Sequence, residues 1–126
     1  MRLRMWSQVV NITIPVKTTN PLNGSWGPWY MNASKRKKQR QAVIAATRDL
    51  EPWSGGFPVS VHLVRVAPSN GLDDDSLPAS MKAIRDQLTE WLGLDDDRTP
   101  MLKWSYDQRR GPRGAYAVEV TIERLY

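Results

Sequence analysis

The chain has 126 residues, with 18 Lys and Arg against 13 Asp and Glu, and a formal charge of +5. That length suits a single domain, residues 1–126, able to bury a core without staples. A hydrophobic content of 40% with six Trp excludes a disordered basic arm, while zero Cys and one histidine, His62, exclude disulfide frameworks, thiolate metal sites and cysteine nucleophiles. A Ser-His-Asp relay and a multi-histidine site are disfavoured too, so any chemistry runs on carboxylates, Lys, Arg or Tyr.

The charge is unevenly distributed. Residues 73–97 hold eight carboxylates against two cations, Lys82 and Arg85, a local charge of −6; the remaining sixteen cations and five carboxylates give +11. Such asymmetry points towards binding partners. No apolar run approaches the roughly 18–20 residues of a membrane span, and no apolar signal core follows the basic start. A cytoplasmic protein with no membrane partner is therefore expected.

In chain order, Val9–Pro15 alternates apolar and polar residues and predicts a half-buried strand. Thr18–Asn32 is a loop by its turn chemistry, with Trp26, Trp29 and Tyr30 embedded in it. Ser34 can cap a helix over roughly residues 35–50, with Val43, Ala46 and Leu50 as its apolar stripe and Ala42 beside it. Its first turns carry Lys35, Arg36, Lys37, Lys38 and Arg40. Cations there oppose the positive end of the helix dipole, so local stability does not explain them. They are either a solvated face or phosphate contacts.

Pro52 to Pro58 is a second loop, and Val59–Val66 a strand with Val59, Val61 and Leu63 on one face. His62 lies on the other face and reads as a packed strand residue. A helix over roughly residues 78–92 follows, with the stripe Leu77, Met81, Ile84, Leu88, Trp91 and Leu92, and Gly93 ends it. Leu102–Tyr106 and Tyr116–Ile122 are terminal strands, joined by a hairpin loop, Asp107–Gly114, that bears Arg109, Arg110 and Arg113. The order β-α-β-α-β-β predicts a small α+β domain, a mixed or antiparallel sheet with two main helices on one face.

Asp73-Asp74-Asp75 precedes the second helix and Asp95-Asp96-Asp97 follows it. A straight helix of that length would hold the triplets roughly 22 Å apart. Bringing them together requires fold-back of the flanking segments or a second copy of the chain. Clustered carboxylates without His or Cys are hard oxygen ligands suited to Mg²⁺ or Mn²⁺, and such ions activate water in phosphodiester hydrolysis. Lys82 and Asp86 lie one turn apart, away from the apolar stripe; a Lys beside carboxylates can hold a phosphate or stabilise developing charge. The alternative is that both triplets are solvated helix caps.

The stretch Leu72-Asp73-Asp74-Asp75-Ser76-Leu77, then Met81-Lys82-Ala83-Ile84-Arg85-Asp86, then Leu92-Gly93-Leu94-Asp95-Asp96-Asp97 resembles the RusA family of Holliday-junction resolvases. Members of that family are small homodimeric, Mg²⁺-dependent endonucleases that cut four-way DNA junctions, often encoded by prophages. The resemblance implies Asp73, Asp75 and Asp96 as metal-site carboxylates and Lys82 as the catalytic lysine, with Asp86 also at a family position. A third Asp leaves the register among Asp95, Asp96 and Asp97 open. Two departures from the pattern are Ser76, where the family has Asn, and the seven residues from Asp75 to Lys82, where some members have four. The expectation is a branched-DNA endonuclease acting as a homodimer, with Mn²⁺ a possible substitute for Mg²⁺. Lys35, Arg36, Lys37, Lys38, Arg40, Arg109, Arg110 and Arg113 would contact phosphates, and Trp26, Trp29 and Tyr30 would stack on bases or pack. A non-catalytic DNA-binding protein of the same fold is the alternative, and an assembly protein using Trp-rich loops a third.

Overall fold

The computed structural model of the chain describes residues 9–18, 29–69 and 71–125. Its elements are β1 (Val9–Ile14), α1 (Trp29–Thr47), β2 (Val59–Ala67), α2 (Ser76–Ala79), α3 (Lys82–Trp91), β3 (Leu102–Arg110) and β4 (Ala117–Arg124). The strands form one mixed sheet in the order β1-β4-β2-β3. β4 lies antiparallel to both β1 and β2, and β3 runs parallel to β2. The α+β expectation, a mixed sheet with two main helices, holds.

Strand alternation sorts the two faces of the sheet. Ile12, Ile14, Val61, Leu63, Val118, Val120 and Ile122 point to one side, where they meet Val43 of α1 and Met81, Ile84 and Leu88 of α2–α3. Each fully buried aliphatic side chain of this kind contributes about 1.5–3 kcal/mol of hydrophobic stabilisation. The opposite face is polar. There Thr121 donates to the Asn11 side chain at 3.0 Å, and His62 Nδ1 lies 2.7 Å from the Ser105 hydroxyl of the paired strand. His62 is thus a strand residue held by a neighbour, as its place in the alternation predicts.

The sequence expectations for the terminal strands need correction. The terminal strands do not form a hairpin, because β2 lies between β3 and β4. Val59–Ala67 pairs along its whole length with Leu102–Arg110, so β3 runs on past Tyr106, and Arg109 and Arg110 belong to a strand instead of a loop tip. A short Gly-Pro-containing connection looks like a hairpin turn in sequence, but the apolar edge of β2 supplies the better partner for both strands.

The first helix begins at Trp29 and ends at Thr47. Residues 29–34 contain no Gly or Pro to stop it, so Ser34 is interior and the basic run sits beyond the first turn, away from the unfavourable end of the dipole. At the other end the Thr47 hydroxyl donates back to the Val43 carbonyl at 2.8 Å. Leu50, expected in the stripe, is exposed. The buried line of α1 is Gln39, Val43 and Thr47, with Ala42 and Ala46 half-buried beside it. Trp26 lies outside the described residues, as do the side chains of Trp29 and Tyr30.

The second helix is two pieces. α2 and α3 are separated at Ser80–Met81, where Met81 has φ −117° and ψ 14°, far from helical values. Two side-chain hydrogen bonds hold the break beside the backbone bonds of Ser80 and Met81: the Ser80 hydroxyl donates to the Leu77 carbonyl at 2.7 Å, and the buried Gln39 amide of α1 donates to the Ser80 carbonyl at 3.2 Å. The Gln39 bond also ties the basic helix to the residue pair immediately before Lys82.

Candidate functional site

Gly93 creates the geometry on which the site depends. Its φ of +84° is one that L side chains rarely adopt, and it closes α3 with a two-bond cap. Its own N–H donates to the Glu90 carbonyl at 2.9 Å and that of Leu94 to the Thr89 carbonyl at 3.0 Å. The chain reverses there and runs back along α3. Trp104 of β3 then fixes the returning segment, donating its indole N–H to the Asp97 carbonyl at 2.7 Å.

Fold-back brings Asp97 to Lys82 at the start of α3. Lys82 Nζ lies 2.8 Å from Asp97 Oδ2 and 3.0 Å from Asp86 Oδ1. Arg85, one turn on, reaches the same Asp97 Oδ2 at 2.8 Å. Its guanidinium stacks near the Trp104 ring, 5.1 Å from the centroid, with the Tyr106 ring 6.0 Å away. The Asp97 side chain is only 6% exposed, against 48% for Lys82. One buried carboxylate therefore organises two cations.

The 22 Å separation expected of the triplets is removed at its C-terminal end by fold-back within one chain. Of the three closing aspartates, Asp97 meets Lys82. Asp96 is exposed and accepts the Arg98 N–H at 2.9 Å, the contact of a local turn, and Asp95 is exposed beside it. Asp73, Asp74 and Asp75 are all exposed. Asp73 Oδ1 accepts the Ser76 N–H at 2.8 Å and so caps α2. That segment is anchored to the sheet: the Leu72 N–H donates to Gln108 Oε1 at 2.8 Å, and Gln108 Nε2 donates back to the Leu72 carbonyl at 2.6 Å. Gln108 and Trp104 stand four residues apart on the helix-bearing face of β3, about 13 Å at strand rise. The two acidic segments are thus moored to the same face of one strand.

Asp86, Glu90, Asp95, Asp96 and Asp97, with Thr89 and Leu94, line a cavity of about 320 Å³ on this side of α3. Asp73, Asp75 and Asp96 are hard oxygen donors of the kind Mg²⁺ accepts. Among the described residues, however, no three His, Cys, Asp or Glu side chains are gathered so as to hold a metal ion. The donors are of the right chemistry but are not assembled into a metal centre, and the carboxylate nearest Lys82 is already neutralised by two cations.

The ionisation equilibria follow from these contacts. Burial alone would raise the Asp97 carboxyl, but its bond to Lys82 and the charges of Arg85, Lys82 and Arg98 overcome it and hold the group below the ordinary carboxylate value. The Asp97 hydrogen bond, assisted by Asp86 and opposed by burial, raises the Lys82 ammonium. Asp73 is lowered by its hydrogen bonds to Ser76. Groups depressed in the fold stabilise it above their unfolded pKa and lose that contribution as pH falls through the folded value. Lys82, raised in the fold, contributes fully below its unfolded pKa and loses that contribution as pH rises through the folded one. Urea midpoints measured against pH should therefore be flat between the ordinary carboxylate and lysine ranges and fall on either side. Asp97→Asn should shallow the acid limb; an unchanged acid limb would remove Asp97 from the account.

The basic residues divide into two groups. Lys35, Arg36, Lys37, Lys38 and Arg40 are all exposed on α1, flanking the buried Gln39 that contacts Ser80. Arg109 makes a bidentate pair with Glu119, 2.8 Å at each nitrogen, on the open sheet face. Arg110 donates to the Pro68 carbonyl at 3.2 Å, and Arg113 is exposed in the turn before β4. Sequence reasoning missed Arg85 and the Trp104–Tyr106 platform beneath it. The period-two placement of Trp104 and Tyr106 and the i,i+3 spacing of Lys82 and Arg85 are the signals that could have found them.

No protein-family model matches the chain, and no curated protein matches it significantly. No helix among the described residues is long and apolar enough to cross a membrane.

Proposed function

We propose that the chain is a structure-selective DNA endonuclease of the RusA type, hydrolysing phosphodiester bonds at four-way junctions in recombination and repair. The observation that carries this reading is the return of Asp97 to Lys82. The Lys-bearing and closing acidic segments of the resemblance come together within one chain, and the Asp73–Asp75 segment is moored to the same strand. The exposed cations of α1 lie next to this unit through the Gln39–Ser80 contact, where they can follow phosphates; such contacts make binding steeply salt-dependent.

In this reading Lys82 stabilises charge developing on the phosphate, and Asp73, Asp75 and Asp96, which are not gathered among the described residues, would be the carboxylates to hold Mg²⁺, with Mn²⁺ as substitute. An ion of that kind activates water and stabilises the leaving oxygen when bound. Symmetric cutting calls for two active sites, hence a homodimer. Activity as a cytoplasmic, prophage-type resolvase belongs to the same proposal.

A second reading is favoured by one observation. Lys82 and Arg85 both pair with Asp97 Oδ2, an arrangement that serves a DNA-binding protein keeping the fold without catalysis equally well. Incubating the protein with a synthetic four-way junction in Mg²⁺ or EDTA separates the two. Paired nicks that require the metal and vanish in Asp75→Asn support the endonuclease. Salt-sensitive junction binding without any metal-dependent product supports the second reading.

A further inference from the structure

Arg65 is the least expected residue of the core. It lies on the helix-bearing face of β2, in register with Gln108 of β3, and is 6% exposed. Its Nε donates to the Thr18 hydroxyl at 2.9 Å and one terminal nitrogen to the Thr18 carbonyl at 3.4 Å. Among the described residues no carboxylate lies within ion-pair distance of it. Burial lowers its pKa, but an arginine in a protein keeps its proton. A buried cation with only neutral partners is costly, because desolvation is not repaid by an opposite charge.

The surroundings form a recess around that charge. Arg65, Ser69, Gly71, Gln108, Arg109 and Arg110 line a cavity of about 240 Å³. Its Gly71–Gln108 wall is rigid: Gln108 is doubly bonded to Leu72, and a Cβ on Gly71 would lie 2.8 Å from the Gln108 amide atoms. Only glycine leaves this wall intact. Arg110 stands on the same face as Gln108, two residues along β3, and pairs with no carboxylate among the described residues; the Arg109 guanidinium is occupied by Glu119. Ser69 and Arg110 also line an adjoining cavity of about 470 Å³ that includes Arg113. Gly71 is two residues from Asp73, so the recess opens beside the acidic segment.

We propose that this recess is a phosphate subsite for a nucleic-acid backbone, with the buried Arg65 and the exposed Arg110 as its cations. Guanidinium forks match phosphate oxygens in bidentate geometry. The volume is below the roughly 300 Å³ at which pockets for whole drug-sized ligands begin, so it suits one phosphate group and not a nucleotide. The adjoining cavity with Arg113 offers the next cation along a strand. The inference deepens the DNA-binding side of the proposed function and does not require cleavage.

The test is an NMR titration of the full chain, following the arginine Nε–Hε resonances. Sodium phosphate is added with chloride holding the ionic strength, and in a second series a short single-stranded oligonucleotide. Saturable shifts of Arg65 and Arg110 in both series are expected. Arg110→Gln, at an exposed position, should leave the remaining spectrum in place and weaken phosphate binding roughly tenfold, the equivalent of one charged hydrogen bond. Absence of a saturable Arg65 shift, or equal affinity in Arg110→Gln, overturns the subsite. A response to phosphate but not to the oligonucleotide overturns its assignment to a nucleic-acid backbone. These results are independent of the junction assay: a chain that fails to cut can still show the shifts, and a chain that cuts can still lack them.

Discussion

Asp97→Asn should lower the thermal midpoint by about 8 °C, equivalent to about 2 kcal/mol for a domain of this size. The substitution keeps the shape of the side chain and removes its charge, leaving Lys82 and Arg85 as neighbouring cations with Arg85 largely buried. Loss of one partner from a buried pair costs about 3–5 kcal/mol; the partial exposure of Lys82 brings the expectation down. Asp96→Asn is the control, because Asp96 is exposed and its contact is a local turn; it should change stability by no more than about 0.5 kcal/mol. Calorimetric scans of the two variants decide the matter. Equal midpoints would mean that the Asp97 cluster does not hold the returning segment.

Lys82→Met has the reverse profile. Lys82 is about half exposed and its pairs with Asp86 and Asp97 resemble surface ion pairs on its side, so the stability change should stay under about 1 kcal/mol. If Lys82 stabilises charge on the scissile phosphate, junction cleavage should fall about 10²–10³-fold. Single-turnover rates on a four-way junction, measured beside urea unfolding of the same preparation, separate catalysis from folding. A stable variant that still cuts at the parent rate would remove Lys82 from the mechanism.

The parts of the fold that local alternation controls were legible in the sequence. Val59, Val61 and Leu63, and likewise Val118, Val120 and Ile122, show their buried face directly, and Ile84 and Leu88 mark the inner side of α3. Strand order was not legible. It is decided by which edges complete β2, a choice between non-local partners that a short loop between β3 and β4 misrepresents. The first helix extended further back because nothing in residues 29–34 opposes it. At the site, the residue types and the Lys82–Asp86 turn could be read from spacing. The choice of Asp97 over Asp96 could not, because it depends on the direction in which the chain leaves Gly93 and on the Trp104 indole that receives it. Arg65 carries no periodic signal at all: a cation within an apolar strand breaks the pattern that identifies the strand.

The break at Ser80–Met81 also changes how the spacing from Asp75 to Lys82 should be understood. In an uninterrupted helix each added residue turns everything beyond it by about 100°, so a change in length before Lys82 would swing it away from Asp97 unless made in whole turns. Here α3 takes its orientation from its own apolar stripe against the sheet, and the Gln39 amide holds the joint before it. The segment carrying Asp73–Asp75 is a separate piece, strapped to β3 by Gln108. Lys82 therefore takes its direction from the packing of α3, and not from an unbroken helix running back to Asp75.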